Sequence, residues 1–411
     1  MHRAPGDRRP AQVDSYAMTA LLADPVSEVV AAAETLLTRR TGATVTLVDP
    51  IDLGGSGRSV VVRVRVAENP FSLPRTLVLK QFHPSRKAHD SAAFPAAPST
   101  GSSAADDASP GGTSFLREIV SYRFTTALPV ESRPGAELIA ADPDDRLLVL
   151  SDLGDSTPFA ELVRGADSDS VTNNLMAASQ ALGRMHAATV GREEDFSVLL
   201  RRAGLPAEND PTADHIDDAV AALPAMLATR LGVSVPDEVV DTVRENAEFF
   251  RSGGFRAFSS FDLCPDNVII GAEGVRFLDY EAGGFRDAMF DIAYARMSFP
   301  GCLCRVDLPA DRADAMADAW RAEVVGMWPA LADDEFFAAR IARAELVWAW
   351  WSTYLFLPGD DERVAAAGTH SLAAPRLDVL RQRWIQVARS AERAGDTALA
   401  DHATSVAAVL A

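Results

Sequence analysis

Ser260-Phe261-Asp262-Leu263-Cys264-Pro265-Asp266-Asn267, followed after a short hairpin by Phe277-Leu278-Asp279-Tyr280-Glu281, is the stretch on which the reading of this chain turns. An Asp, four intervening residues, an Asn and a second Asp beyond a turn form an arrangement that phosphoryl transfer can use. One carboxylate takes up the proton of an acceptor hydroxyl. The amide oxygen and the later carboxylate hold magnesium against a triphosphate. Oxygen-bearing residues at such spacing are individually common, so a nucleotide site needs further parts upstream.

Those parts are present in order. Leu53-Gly54-Gly55-Ser56-Gly57-Arg58 directly precedes an alternating strand, Ser59 to Val66. Glycines such as Gly55 and Gly57, flanking Ser56, let backbone amides approach phosphate oxygens. No Gly-Lys-Ser/Thr follows, so this is not a Walker A loop, and a Gly-rich hairpin turn has no function by default. In the next strand, Thr76 to Phe82, Lys80 shares a face with Val78 and Phe82. A lysine on an apolar face is costly unless paired. Glu118 offers the partner from the following helix, Phe115 to Leu128, where Phe115 and Tyr122 flank it at helical spacing. Such a pair aims the ammonium at the α- and β-phosphates. Leu147 to Gly154 then turns from apolar to polar and reads as a hinge. Backbone groups around Ser151 and Leu153 are candidates to meet an adenine edge, although an edge strand and turn would read the same way.

The bulk properties agree with a soluble enzyme. At 411 residues the chain exceeds one compact core, so two lobes are expected. A net charge of -19 argues against nucleic-acid binding; surplus acid suits cationic substrates but more simply describes a solvated surface. Cys264, Cys302 and Cys304 make no disulfide framework, and a lone C-x-C without a nearby His pair argues against a metal there. No targeting signal is visible, and the longest apolar run, Leu346 to Leu357, is too short to span a bilayer. A cytoplasmic protein with no membrane or nucleic-acid partner, monomeric or homodimeric, is expected.

Composition divides the chain. Residues 1–14 read as a disordered tail, 15–150 as an N-terminal nucleotide-binding lobe, and 151–411 as a helical lobe with the catalytic loop and substrate site. Within the first lobe, His83 to Ser114 is Ala-, Ser-, Pro-, Asp- and Gly-rich and reads as a disordered insertion. Arg146 to Leu150 is a strand. Helices are expected at Asn173–Ala187, Asp214–Thr229, Pro236–Arg251, Asp311–Trp328, Asp334–Phe356 and Ala374–Ala394, interrupted by a hairpin from Val268 to Leu278.

The ordered set of Gly-rich turn, Lys80, Glu118, Leu150-Ser151-Asp152-Leu153-Gly154, Leu182-Gly183-Arg184-Met185-His186, Asp262-x4-Asn267 and Asp279-Tyr280-Glu281 resembles the aminoglycoside phosphotransferase-like (APH/choline kinase) family. The resemblance runs from about Val45 to Ala295. It implies an α+β, bilobal protein-kinase-like fold with a small β-rich N-terminal lobe and a larger, mainly helical C-terminal lobe. It also implies ATP and Mg2+ as cofactors, Asp262 as catalytic base, Asn267 and Asp279 as metal ligands, Lys80 on phosphate and Glu118 orienting Lys80. Glu281 is a weaker candidate for a second metal or substrate contact. For Asp287, Asp291 and His186 a structural reading is preferred: a helix cap, a brace for the catalytic loop and a satisfied core histidine.

The chain departs from the family at Ser260-Phe261, where a His-Gly pair usually stands. In kinase-like folds that His anchors the loop, and Ser260 can replace one of its hydrogen bonds. The short interval from Asp279 to the helix near Asp287 leaves no room for a protein kinase's activation loop. The expected activity is phosphorylation of a small-molecule hydroxyl of aminoglycoside, sugar or amino-alcohol type; the alternative is a nucleotide-binding pseudokinase. The aromatic helix around Trp348, Trp350, Trp351 and Tyr354 reads as core packing in preference to a cation-binding pocket.

Overall fold

The computed structural model describes residues 25–55, 59–67, 73–82, 110–165, 167–207, 210–359 and 361–411. Among them is a five-stranded antiparallel sheet of order β1-β2-β3-β5-β4. Its strands are β1 (Leu47–Gly54), β2 (Ser59–Val66), β3 (Thr76–Phe82), β4 (Leu138–Asp142) and β5 (Leu147–Ser151). Helix α1 (Pro25–Thr41) lies on one face and α2 (Pro110–Thr126) on the other.

Period-two alternation explains the two faces. Leu77, Leu79, Leu147 and Val149 join Val29, Ala33 and Leu37 of α1 in one core. Leu148 and Leu150 point the other way, toward Phe115, Ile119 and Tyr122 of α2. Lys80 pairs in register with Val61 and Leu148 and therefore projects to the α2 side. Helix α1 falls where the sequence reading assigns no helix, although Val29, Ala33, Leu36 and Leu37 carry a helical apolar spacing. Helix α2 begins at Pro110, so the last five residues of the expected insertion, 110–114, are helical. The rest of that insertion and the expected tail 1–14 lie outside the described residues.

The larger lobe contains α3 (Phe159–Leu162), α4 (Ser168–Thr189), α5 (Glu193–Arg202), α6 (Pro211–Leu231), α7 (Asp237–Ala247), α8 (Met289–Arg296) and α9 (Ala310–Val324). Further on come α10 (Asp334–Phe356), α11 (Asp361–Ala367), α12 (Arg376–Arg393) and α13 (Thr397–Val409). Two small antiparallel sheets punctuate it: β6 (Ser156–Pro158) with β8 (Val268–Gly271) and β9 (Gly274–Phe277), and β7 (Arg256–Ser259) with β10 (Gly284–Asp287). The protein is thus α+β and bilobal, with a β-rich N-terminal lobe and a mainly helical C-terminal one.

Helix α10 is the axis of the second lobe. Asp333 caps it by accepting from the Phe336 amide at 2.9 Å, and its apolar residues run round the whole circumference. Trp348, Trp350 and Trp351 are each 1% exposed, so they pack the core and do not line a pocket. The Trp348 and Trp350 indoles donate to the carbonyls of Phe290 at 2.7 Å and Ala219 at 2.9 Å. Among the described residues no helix is long and apolar enough to cross a membrane.

The lobes join between β5 and β6. Arg63 of β2 pins this junction. It donates to the Gly154 carbonyl at 2.8 Å and lies 3.0 Å from Asp152.

Candidate active site

Lys80 Nζ sits 2.8 Å from Glu118 Oε1 and 3.1 Å from Asp279 Oδ1. Strand β3, helix α2 and the segment after β9 therefore meet at one ammonium. Glu118 is fully buried, and its second oxygen has no hydrogen-bond partner among the described residues. Burial works against the Lys80 charge, but the carboxylates of Asp279 and Glu118 outweigh it and its pKa rises. Burial pushes the Glu118 carboxyl up to about 8, against the pull of Lys80, and the charges of Asp279 and Glu281 add to the rise. Lys80 is the fixed charge of the group, because two carboxylates face one ammonium.

The Asp262–Asn267 loop approaches from the other side. Asp262 Oδ1 accepts from the Cys264 amide at 3.1 Å, which orients the carboxylate. Burial, then the Asp279 charge, pushes its carboxyl up to about 7. Asn267 Nδ2 donates back to the Asp262 carbonyl at 3.4 Å, and the Asn267 carbonyl accepts from the Leu278 amide at 2.8 Å. That second bond closes the base of the β8–β9 hairpin and brings Asn267 beside Asp279. The donors available here are the Asn267 side-chain amide oxygen and the Asp279 carboxylate, whose side chain is 33% exposed. Hard oxygens with solvent access suit Mg2+, which keeps several of its waters. Asn267 and Asp279 are the residues that would hold it.

Two residues here adopt left-handed backbone: Phe261 at φ 68° and Asp279 at φ 60°. Each costs about 1 kcal/mol or more, and such strain concentrates at functional sites. Phe261 is held by its amide, which donates to Ser259 Oγ at 3.0 Å, and by its ring, which lies 4.9 Å from the Arg286 guanidinium carbon. Arg286 is itself buried. It donates to Thr212 Oγ1, the carbonyls of Ser259 and Ala282, and Asp210.

The loop anchor is Ser259, one residue before the position the sequence singles out. Ser259 Oγ donates to Asp291 Oδ1 at 2.8 Å, whereas Ser260 Oγ is buried without a partner among the described residues. Asp291 does brace the Asp262–Asn267 loop, through Ser259. Its other oxygen lies 3.1 Å from His186 Nε2. Trp320 Nε1 donates to His186 Nδ1 at 2.9 Å, which leaves Nε2 to carry the proton toward Asp291. His186 is thus a satisfied core histidine. Asp287 caps α8 by accepting from the Met289 amide at 3.0 Å, and Arg340 pairs with its other oxygen.

The remaining candidates lie apart from this cluster. Gly55 needs to be glycine, because a Cβ there would come within 2.2 Å of the Ser59 carbonyl oxygen. Ser56 and Gly57 fall outside the described residues. The Ser151 amide and hydroxyl are both engaged with Glu137 at 2.9 Å, within the small lobe. Leu153 is half-buried against the core of the larger lobe.

Sequence reading missed Ser259, Arg286 and His370. His370 Nδ1 lies 2.5 Å from Asp266 Oδ2 and 3.6 Å from Cys264 Sγ, both in the Asp262–Asn267 loop. The expected lone C-x-C is therefore not alone, since Cys264 and His370 come to it from distant parts of the chain.

No family model matches this chain, and no curated protein matches its sequence. Solved structures similar to it include a choline/ethanolamine kinase family protein from Mesorhizobium loti, at 15% identity, 88% of this chain, 93% of that chain and TM-score 0.44. A choline kinase from Cryptosporidium parvum matches at 10% identity, 91% of this chain, 97% of that chain and TM-score 0.47. The streptomycin-ATP-APH(2")-IIa ternary complex matches at 11% identity, 86% of this chain, 98% of that chain and TM-score 0.48. At such identities these are likenesses of fold.

Proposed function

We propose that this protein is an ATP- and magnesium-dependent phosphotransferase acting on a hydroxyl of a small molecule of aminoglycoside, sugar or amino-alcohol type. The observation that supports it most is Lys80 held between Glu118 and Asp279, with the Asp262–Asn267 loop tied to the segment that carries Asp279 through the Leu278 amide and the Asn267 carbonyl. In this reading Lys80 meets the α- and β-phosphates, and Glu118 fixes its direction. Magnesium, held by Asn267 and Asp279 when bound, offsets charge on the triphosphate. Asp262 accepts the acceptor hydroxyl's proton, and a carboxyl near 7 is matched to that task at neutral pH. Ser259 and Asp291 hold the loop, which keeps the base within reach of the hydroxyl.

ADP release across a panel of aminoglycosides, sugars and amino alcohols, with and without magnesium, tests the proposal. An acceptor- and magnesium-dependent rate lost in Asp262→Asn supports it. Unchanged turnover in that variant removes Asp262 as base. Ser260-Phe261 in place of a His-Gly pair, with Ser260 Oγ unpartnered among the described residues, favours a second reading, nucleotide binding without transfer. Saturable ATP binding with no turnover on any acceptor would select it.

A further inference from the structure

Three buried thiols and an imidazole converge behind the catalytic loop from three separate stretches of chain. Cys264 lies in that loop, Cys302 and Cys304 in the segment after α8, and His370 in the segment after α11. The ligand atoms of Cys264, Cys304 and His370 all lie within 4.8 Å of one another. Cys264 Sγ is 3.7 Å from Cys302 Sγ and 3.6 Å from His370 Nδ1. A tetrahedral zinc with Zn–S of about 2.3 Å and Zn–N of about 2.05 Å separates two sulfurs by about 3.8 Å and a sulfur from a nitrogen by about 3.6 Å. Both of these spacings fall at those values; Cys302 Sγ stands outside the set whose ligand atoms all lie within 4.8 Å of one another, and metal binding has to draw it in.

Charge supplies an independent argument. Arg383 is 2% exposed, and its hydrogen-bond partners are all neutral: the carbonyls of Met297, Ser298, Phe299, Pro300 and Cys302 and the Ser352 hydroxyl. A buried guanidinium needs an anion. Three thiolates around a divalent ion carry one net negative charge, and Arg383 cancels it. The Cys304 amide also donates to Cys302 Sγ at 3.4 Å, and the Cys302 thiol donates to the Phe299 carbonyl at 3.3 Å, a bond it gives up on becoming a thiolate. The segments involved are already joined, since Cys304 bridges Ala373 and the Arg305 amide donates to the Leu372 carbonyl at 2.9 Å.

We propose that Cys264, Cys302, Cys304 and His370 form a structural zinc site that staples the Asp262–Asn267 loop to two C-terminal segments. Zinc takes the place of the three thiol protons and of the His370 Nδ1 proton that otherwise faces Asp266. The site is independent of the phosphotransfer reading, because it concerns metal content and loop order and not turnover.

The test is elemental analysis of the full chain purified without chelator, followed by replacement with cobalt. One zinc per chain is expected, with three thiols that react only after chelation or denaturation. Cobalt should give the thiolate charge-transfer and tetrahedral d–d bands. Cys304→Ser and His370→Ala should each bind zinc about 100-fold or more weakly. The cobalt spectrum requires no variant and so stands even if these fold poorly. Metal-free protein that takes up neither ion, three freely reactive thiols in the presence of zinc, a Cys264–Cys302 disulfide, or zinc held equally by the variants would each overturn the proposal.

Discussion

Asp262→Asn should make the protein inactive and, at alkaline pH, more stable. The Asp262 carboxyl is carried from an ordinary 3.8 to about 7 by burial and then by the Asp279 charge. Each tenfold change in proton affinity is worth about 1.4 kcal/mol, so this displacement sets about 4 kcal/mol against the ionised form. Solvent reaches the half-buried side chain, and roughly half of that figure, about 2 kcal/mol, is the expected effect. The folded chain holds the proton more tightly than the unfolded chain. The contribution is therefore complete below pH 3.8 and lost as the pH rises to about 7. Asparagine keeps an oxygen for the Cys264 amide but never ionises. Unfolding of wild type and variant by urea, followed by tryptophan fluorescence at pH 4 and pH 8, measures the difference. The variant should gain about 2 kcal/mol at pH 8 and little at pH 4, while phosphotransfer falls about 100-fold or more. An equal effect at both pH values, or no gain at pH 8, would refute the account of Asp262.

Lys80→Met strands the buried Glu118 beside Asp279; breaking such a pair costs about 3–5 kcal/mol, to be read from denaturant midpoints, and ATP affinity should fall with it. Ser259→Ala removes the hydroxyl between Asp291 and the Phe261 amide. It should cost about 1–3 kcal/mol and lower kcat with little change in KM for ATP, whereas Ser260→Ala should leave both near wild type. Gly55→Ala places a Cβ within 2.2 Å of the Ser59 carbonyl oxygen. It should weaken ATP binding, measured by titration calorimetry, while hydrogen exchange in the larger lobe stays unchanged.

Much of the local structure was legible. The helix Asp334–Phe356 matches its expected bounds, and the Val268–Leu278 hairpin turns where glycine punctuates it. Lys80 shares its face with Val78 and Phe82 because a strand alternates, whatever surrounds it. Helix α1 was missed despite a usable spacing, and α13 (Thr397–Val409) likewise. The anchor of the Asp262–Asn267 loop was placed one residue late. Nothing in the local pattern says which of two adjacent serines turns toward Asp291, and that direction follows from how β7 packs against α8.

The sequence by itself determined many of the longer elements, the order of the chemical groups and the strand face of Lys80, because these depend on neighbours a few positions away. Only the tertiary structure decided which groups meet. Lys80 reaches Asp279 across 199 positions, and His370 reaches Asp266 across 104. Contacts of that separation depend on the packing of whole helices and sheets, to which no local periodicity responds. The same packing turns a C-x-C that looked isolated into part of a four-residue cluster that includes Cys264 of the Asp262–Asn267 loop.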